Sequence, residues 1–424
     1  MWYLCFALIL LALILLTSCT RFSPDNNTPT LEPTPAPSDG FSKDSGEESM
    51  DLVASQTPTP SDLSPDEKDP GDMAPETSPK PEENSKPDLT PGKEKPEHTP
   101  TPRPTPTPEP EPVVSAGIVN PYVPYTYEQM LKESAVLSET YPDIISLDTI
   151  GSSVEGRDLL LIKLGRGDKK ILFCGAHHAR EYITSSYLMK MVEEYARSYT
   201  DSKKFGNFDT RDILDKVTIY VVSMVNPDGV NLVNNGLGSV VNKDEVQAMA
   251  LVKKTYREWK ANINGVDLNR QYPAHWEEKY DDVGRPASEN YKGVAAATEP
   301  EVQAMMNLSE SHEFILACSF HTKGNSIFWA DEGTVGQIPG AESIAKGLAA
   351  LTKYDMLPVS KKPSVYGAGY ENWFRLKFKR PAFCIELTPW NNTDIPHDDR
   401  KFDSLVWKNA KYIGLYLAQE ALKR

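Results

Sequence analysis

The chain has 424 residues, with 45 Lys and Arg against 60 Asp and Glu and a formal charge of −15. That balance argues against nucleic acid as a partner, because such binding rests on Lys and Arg neutralising phosphates. Proline is the more telling count: 22 of the 35 fall between Pro24 and Pro112, in a stretch with Thr-Pro repeats and only Phe22 and Phe41 as aromatics, which excludes a folded domain there.

In chain order, residues 2–16 form an unbroken apolar run ending in Leu16-Thr17-Ser18-Cys19. Its length is below the roughly 20 residues that span a bilayer, which fits a signal h-region better than a transmembrane helix. The last four residues resemble a bacterial lipobox, which implies acylation of Cys19, although no Lys or Arg precedes the run. Residues 1–19 are therefore expected to be a lipoprotein-type signal and anchor, and 20–115 a disordered Pro/Thr/Glu-rich linker. Residues 116–424 are expected to be a folded domain. Residues 20–112 carry 20 acids and 8 bases, so the acidity belongs mainly to this linker. Treated as flexible coil, it spans roughly 50 Å, enough to reach into a cell-wall layer. The expected location is extracytoplasmic, with the domain held at the bacterial membrane through its N-terminal anchor as a monomer.

Within the domain, periodicity predicts a helix over Tyr127–Tyr141, strands at Asp158–Leu164 and Lys170–Gly175, a helix over Ile183–Tyr199 and a strand at Val217–Met224. Gly151 to Asp158 reads as a turn between two strands. Thr298-Glu299-Pro300-Glu301 opens a helix with Thr298 as N-cap. A strand at Phe314–Phe320, a helix at Ala341–Thr352, a strand at Ala382–Leu387 and a closing helix over Asp403–Leu422 complete the pattern. The alternation predicts an α/β domain, a mixed central sheet with helices on both faces. Cys174, Cys318 and Cys384 each lie in an apolar run and are expected to be buried thiols, and the odd cysteine count argues against a disulfide scaffold.

Few residues in the domain can ligate metal. His177-His178-Ala179-Arg180-Glu181 follows a strand directly, placing His178 and Glu181 on the turn at its end, and a His2Glu set with water is an open catalytic zinc arrangement. Taken alone, His-x-x-Glu is more often surface decoration. His321 ends another strand, where α/β sheets place their sites. Glu386 reads as a carboxylate at the centre of an apolar strand, costly unless paired or functional.

Together these pieces resemble the zinc metallocarboxypeptidases of the M14 peptidase family. The resemblance rests on Gly-Ala-His-His-Ala-Arg-Glu (175–181), Asn-Pro-Asp-Gly (226–229), Gly-Val-Asp-Leu-Asn-Arg (265–270), Thr-Glu-Pro-Glu (298–301), Ser-Phe-His (319–321), Tyr366 ahead of Asn372-Trp373, and Ile-Glu-Leu (385–387). It implies a carboxypeptidase-like fold and one zinc ion held by His178, Glu181 and His321. Glu386 matches the general base that deprotonates the catalytic water and passes the proton to the leaving amine. Asn269 and Arg270 match the pair that holds the substrate's terminal carboxylate, Asp267 a carboxylate that orients a ligand imidazole, and Arg180 and Tyr366 further substrate contacts.

Two departures bear on activity. Animal digestive members place an arginine after a tryptophan as the oxyanion electrophile, whereas Trp259 is followed here by Lys260, which carries the charge without the bidentate geometry. The surrounding run is more similar to the bacterial branch that includes γ-D-glutamyl-diamino-acid peptidases of cell-wall stem peptides. Glu371, two residues before Trp373, falls where the specificity-pocket residue lies, and a carboxylate there favours a cationic side chain. The expected activity is hydrolysis of a peptide bond next to a free terminal carboxylate, in a peptide or a peptidoglycan stem peptide. The rival is a non-catalytic, carboxylate- or peptidoglycan-binding surface lipoprotein on the same fold. Retention of all three ligand candidates and of Glu386 speaks against it.

Overall fold

The computed structural model describes residues 117–251, 255–281 and 283–424. The expected signal, Cys19 and the linker lie outside these residues. Eight strands form one mixed sheet in the order β1-β2-β4-β3-β5-β8-β6-β7. They are β1 (Ile145–Ser152), β2 (Asp158–Leu164), β3 (Lys169–Gly175), β4 (Val217–Val222), β5 (Phe314–His321), β6 (Ser326–Phe328), β7 (Asp355–Met356) and β8 (Ala382–Glu386). The four middle strands, β4, β3, β5 and β8, run parallel, while β2 joins β4 and β6 joins β8 antiparallel.

Alternation along a strand sends successive side chains to opposite faces, and here both faces are buried. On β3, Ile171 and Phe173 enter one core while Leu172 and Cys174 enter the other. The first core is covered by α1 (Tyr127–Thr140), α2 (Ile183–Thr200), α5 (Ala341–Thr352) and α7 (Ile413–Ala421), with α3 (Pro227–Asn235) at its edge. The second is covered by α4 (Pro300–Ser311) and α6 (Tyr370–Phe378). This is the carboxypeptidase-like α/β arrangement expected, and Cys174, Cys318 and Cys384 are free and buried within it.

Three local expectations need correcting. The N-cap of α4 is Glu299; the Thr298 backbone N–H and hydroxyl both bond Gln271 Oε1 instead, at 2.8 and 3.0 Å. The closing helix is not continuous: a π turn at Asp403–Trp407 and a short helix at Lys408–Ala410 precede α7, with Lys411 and Tyr412 in a turn. Glu386 is not at the centre of its strand but is the last residue of β8, where the sheet opens to the site. Among the described residues, no helix is long and apolar enough to cross a membrane.

Candidate active site

The parallel strands β3, β5 and β8 end together, and the site is built on those ends. His321 closes β5 and Glu386 closes β8, and the two are register partners, so their side chains leave the sheet on the same face. Beyond Gly175, the chain turns at Ala176, whose φ of 49° is held by bonds from its N–H to Thr184 Oγ1 and to its carbonyl from the Asn226 N–H. The next residues form a single 3-10 turn, Ala179–Glu181, capped by His178. The helix start at Asn226-Pro-Asp-Gly packs against this turn: a Cβ at Gly229 would stand 2.8 Å from the Ala179 Cβ and 2.7 Å from Asn226 Oδ1. Asn226 in turn donates to the carbonyls of His177 and Ala261, tying the His178 turn to the loop that carries Lys260.

His178, Glu181 and His321 are thereby brought into one buried cluster. His178 Nδ1 lies 2.9 Å from Glu181 Oε1, His321 Nδ1 lies 3.1 Å from Glu181 Oε2, and the two Nδ1 atoms are 3.3 Å apart. Tetrahedral zinc with bonds of roughly 2.0–2.1 Å to imidazole and carboxylate separates its ligands by roughly 3.3 Å, and one ligand atom from each of the three side chains lies within 4.8 Å of the other two, a grouping that could close on such an ion. The tautomer agrees. His178 Nε2 is 3.1 Å from Asp267 Oδ1 and donates to it, which leaves Nδ1 to face Glu181; burial opposes charge on this ring, but Glu181 and then Asp267 outweigh it and raise its pKa, so with no cation present a proton sits between Nδ1 and that carboxylate. Ring nitrogens and a carboxylate this close repel unless a cation or a proton lies between them. Burial opposes charge on Glu181, but His178 and His321 outweigh it and hold its carboxyl well below the ordinary value.

Glu386 faces this cluster with Oε2 buried and unpartnered among the described residues. Burial first, and then repulsion from Glu181, push its pKa well above the ordinary carboxylate value, while Lys260 draws it back. Lys260 is itself buried; its Nζ lies 3.1 Å from Asp267 Oδ2, an electrostatic contact without a directed hydrogen bond, and donates to Asn290 Oδ1 at 2.9 Å. Arg180 donates to Glu289 at 2.9 Å and to the Glu258 carbonyl at 3.0 Å. Asn269 and Arg270 lie on the turn Leu268–Arg270, capped by Asp267. Asn269 Oδ1 accepts the Tyr370 N–H at 3.0 Å, whereas Arg270 is paired with no carboxylate among the described residues.

Glu371 is buried in the first turn of α6, and its Oε2 accepts the Ser319 hydroxyl at 3.0 Å. Ser319 stands two residues before His321 on β5, on the same face of the strand. Tyr366 meets His275 edge-on at 5.6 Å rather than any of the three ligand candidates.

Some polar residues around the site take no role from sequence: His177, inside the 175–181 run, which stacks on His321 at 5.7 Å and reaches Tyr272 Oη at 3.0 Å, and the pair Glu289 and Asn290, which no motif singles out. Another is His397, whose Nδ1 meets Asn392 Nδ2 at 2.8 Å; its pKa is lowered to about 4, mainly by burial.

A mixed sheet whose parallel strand ends carry a His2Glu set beside a half-buried carboxylate defines a metallopeptidase of the carboxypeptidase type. The chain belongs to the zinc carboxypeptidase family, whose description matches residues 130–415, and it is a zinc metallocarboxypeptidase-type peptidase. It is 33% identical over 303 residues to gamma-D-glutamyl-L-diamino acid endopeptidase 1 of Lysinibacillus sphaericus, covering 71% of this chain and 73% of that protein. It is 25% identical over 234 residues to mast cell carboxypeptidase A of Homo sapiens, covering 53% of this chain and 51% of that one. In fold it is similar to thrombin activatable fibrinolysis inhibitor, with a TM-score of 0.57 at 19% identity over 71% of this chain and 75% of that chain.

Proposed function

We propose that the chain hydrolyses the peptide bond next to a free terminal carboxylate, with a diamino acid or other cationic residue on the carboxyl side of the cut, and that it acts on cell-wall stem peptides from a membrane-anchored position. The observation that carries this reading is the register pairing of His321 with Glu386, which sets a half-buried carboxylate, its Oε2 buried and unpartnered among the described residues, beside the His178, Glu181 and His321 cluster. Those three side chains would hold one zinc ion, which would supply Lewis acidity toward the scissile carbonyl and make the attacking water more acidic. Glu386 takes the proton of the attacking water and returns it to the leaving amine, and burial has already raised its basicity for that task. Arg270, in no ion pair among the described residues, receives the terminal carboxylate of the substrate together with Asn269, and Arg180, held by Glu289 at 2.9 Å, is a further substrate contact. Lys260 stabilises the oxyanion that forms on the scissile carbonyl. The similarity to a gamma-D-glutamyl-L-diamino acid endopeptidase supports the choice of a diamino acid.

The test is to incubate zinc-supplemented protein with defined muropeptides and with peptides ending in Lys, Arg or Phe, and to read the products by mass spectrometry. Cleavage next to the diamino acid is expected, and Glu386→Gln should abolish it while zinc content stays the same. No cleavage of any of these substrates, or turnover that survives in Glu386→Gln, overturns the mechanism. The membrane assignment rests on Cys19 and is checked in the same cells: Cys19→Ser should release the protein from the membrane fraction.

A further inference from the structure

A lysine in the oxyanion role poses a geometric problem. An arginine presents a rigid planar fork, whereas a lysine ammonium is a point charge on a flexible stem with three freely rotating N–H bonds. An electrophile contributes most when it is fixed before the charge develops, so something besides Lys260 must supply that fixity. The segment Ser288–Tyr291 is stitched to both sides of the site. The Ser288 carbonyl accepts the N–H groups of Lys260 and Ala261, each at 2.9 Å, and the Tyr291 carbonyl accepts the Asp267 N–H at 2.8 Å. Between those anchors, Glu289 pairs with Arg180, and Asn290 turns its amide oxygen onto Lys260 Nζ at 2.9 Å. Asn290 does so with φ at 64°, the left-handed region that asparagine tolerates better than most residues. The oxygen assignment follows from the chemistry, because an ammonium offers only donors.

We infer that Asn290 is a positioning residue for catalysis, holding the Lys260 ammonium against Asp267 so that its remaining N–H donors stay directed at the developing oxyanion. The inference rests on the Lys260 role proposed above. One N–H goes to Asn290, and the Asp267 carboxylate 3.1 Å away keeps the charge at that end of the site. Two weak constraints on a flexible side chain thus replace the single rigid constraint that a guanidinium carries in its own geometry.

The experiment is a double-mutant cycle on a peptide ending in arginine that the wild-type protein cleaves, using Lys260→Ala, Asn290→Gly and the double variant. Glycine removes the amide without penalising the positive φ, and Asn290→Asp retains an acceptor at the same place. Asn290→Gly should lower kcat roughly ten- to a hundredfold with KM, zinc content and Tm nearly unchanged. Asn290→Asp should recover most of that loss. The double variant should be no slower than Lys260→Ala, because the amide has nothing left to position. Binding of a phosphinate peptide, whose tetrahedral oxygens stand for the oxyanion, should weaken by a similar factor in Asn290→Gly, while binding of the carboxylate product should not. Multiplicative losses in the double variant, or equal weakening of phosphinate and product, overturn the inference. So does an Asn290→Gly protein that loses zinc or Tm with no recovery in Asn290→Asp. If Lys260→Ala itself leaves kcat unchanged, the Lys260 role fails first and the positioning role falls with it.

Discussion

At the scale of single residues, the proposed preference for a cationic residue turns on Glu371. Glu371 is buried, receives the Ser319 hydroxyl, and has thiols for neighbours: Cys174 and Cys384 are the register partners of Ser319 on the two flanking strands. Burial and then the nearby Glu371 push both thiols well above their ordinary pKa, so the thiols stay neutral. A partly desolvated carboxylate gains most from a cation. Glu371→Gln is therefore expected to lower kcat/KM for peptides ending in Lys or Arg about a hundredfold relative to peptides ending in Phe, as for loss of a buried charge pair. An unchanged Arg-to-Phe ratio would show that Glu371 does not line the pocket. His178, Glu181, His321 and Glu386 were legible because metal and acid–base chemistry admits few residue types and each stands at a strand end or in an apolar run. Asn290 and Glu289 were not: a polar pair in a loop looks like any solvated turn until the backbone bonds of Ser288 and Tyr291 place it.

At the scale of elements, the central strands were legible from their apolar runs because both faces of the sheet are buried, whereas β6 and β7, with three and two residues, are too short to show a period. The start of α4 was misassigned by one residue because Thr298 and Glu299 are both plausible caps, and the choice was made by a tertiary partner, Gln271. That helix start also carries a pH sensitivity. Glu301 is fully buried and accepts from the Val154 N–H and from Asn262 Nδ2, joining the turn after β1 to the loop that bears Lys260. Burial raises its pKa from 4.5 to about 7, with Asp228 adding repulsion. The folded value lies above the unfolded one, so the stabilisation is complete below about pH 4.5 and is lost as the pH rises through about 7. The amount is about 3 kcal/mol. Glu301→Gln removes the titration, so its stability relative to wild type should improve by about that much between pH 4.5 and pH 8 in urea unfolding. A difference that does not vary with pH would place the titration elsewhere.

At the scale of the whole molecule, the two cores pack against the sheet from opposite sides, and what they hold rigid is the row of strand ends from β3 to β8. The ligand candidates come from chain positions 178, 181 and 321, so an ion bound there closes a loop of about 140 residues between the turn after β3 and the end of β5. An unfolded chain has no such preformed set, and an ion that binds only the folded state stabilises it by about 2.7 kcal/mol at a concentration a hundred times Kd. For a domain of this size that is a rise in Tm of about 5 °C. Glu386 sharpens the expectation, because its half-buried carboxylate and the Glu181 carboxylate repel each other, and a divalent cation beside them relieves that repulsion as well as binding its ligands. Chelation of zinc should therefore lower Tm by about 5 °C and its return should restore it, with His321→Ala insensitive to both. Glu386→Gln separates the two contributions: it should have a higher Tm than wild type without zinc, because one of the repelling charges is gone, and a smaller rise when zinc is added. A Tm unmoved by chelation, or a His321→Ala protein that responds to zinc as the wild type does, would mean that the cluster at the strand ends is not where the metal binds.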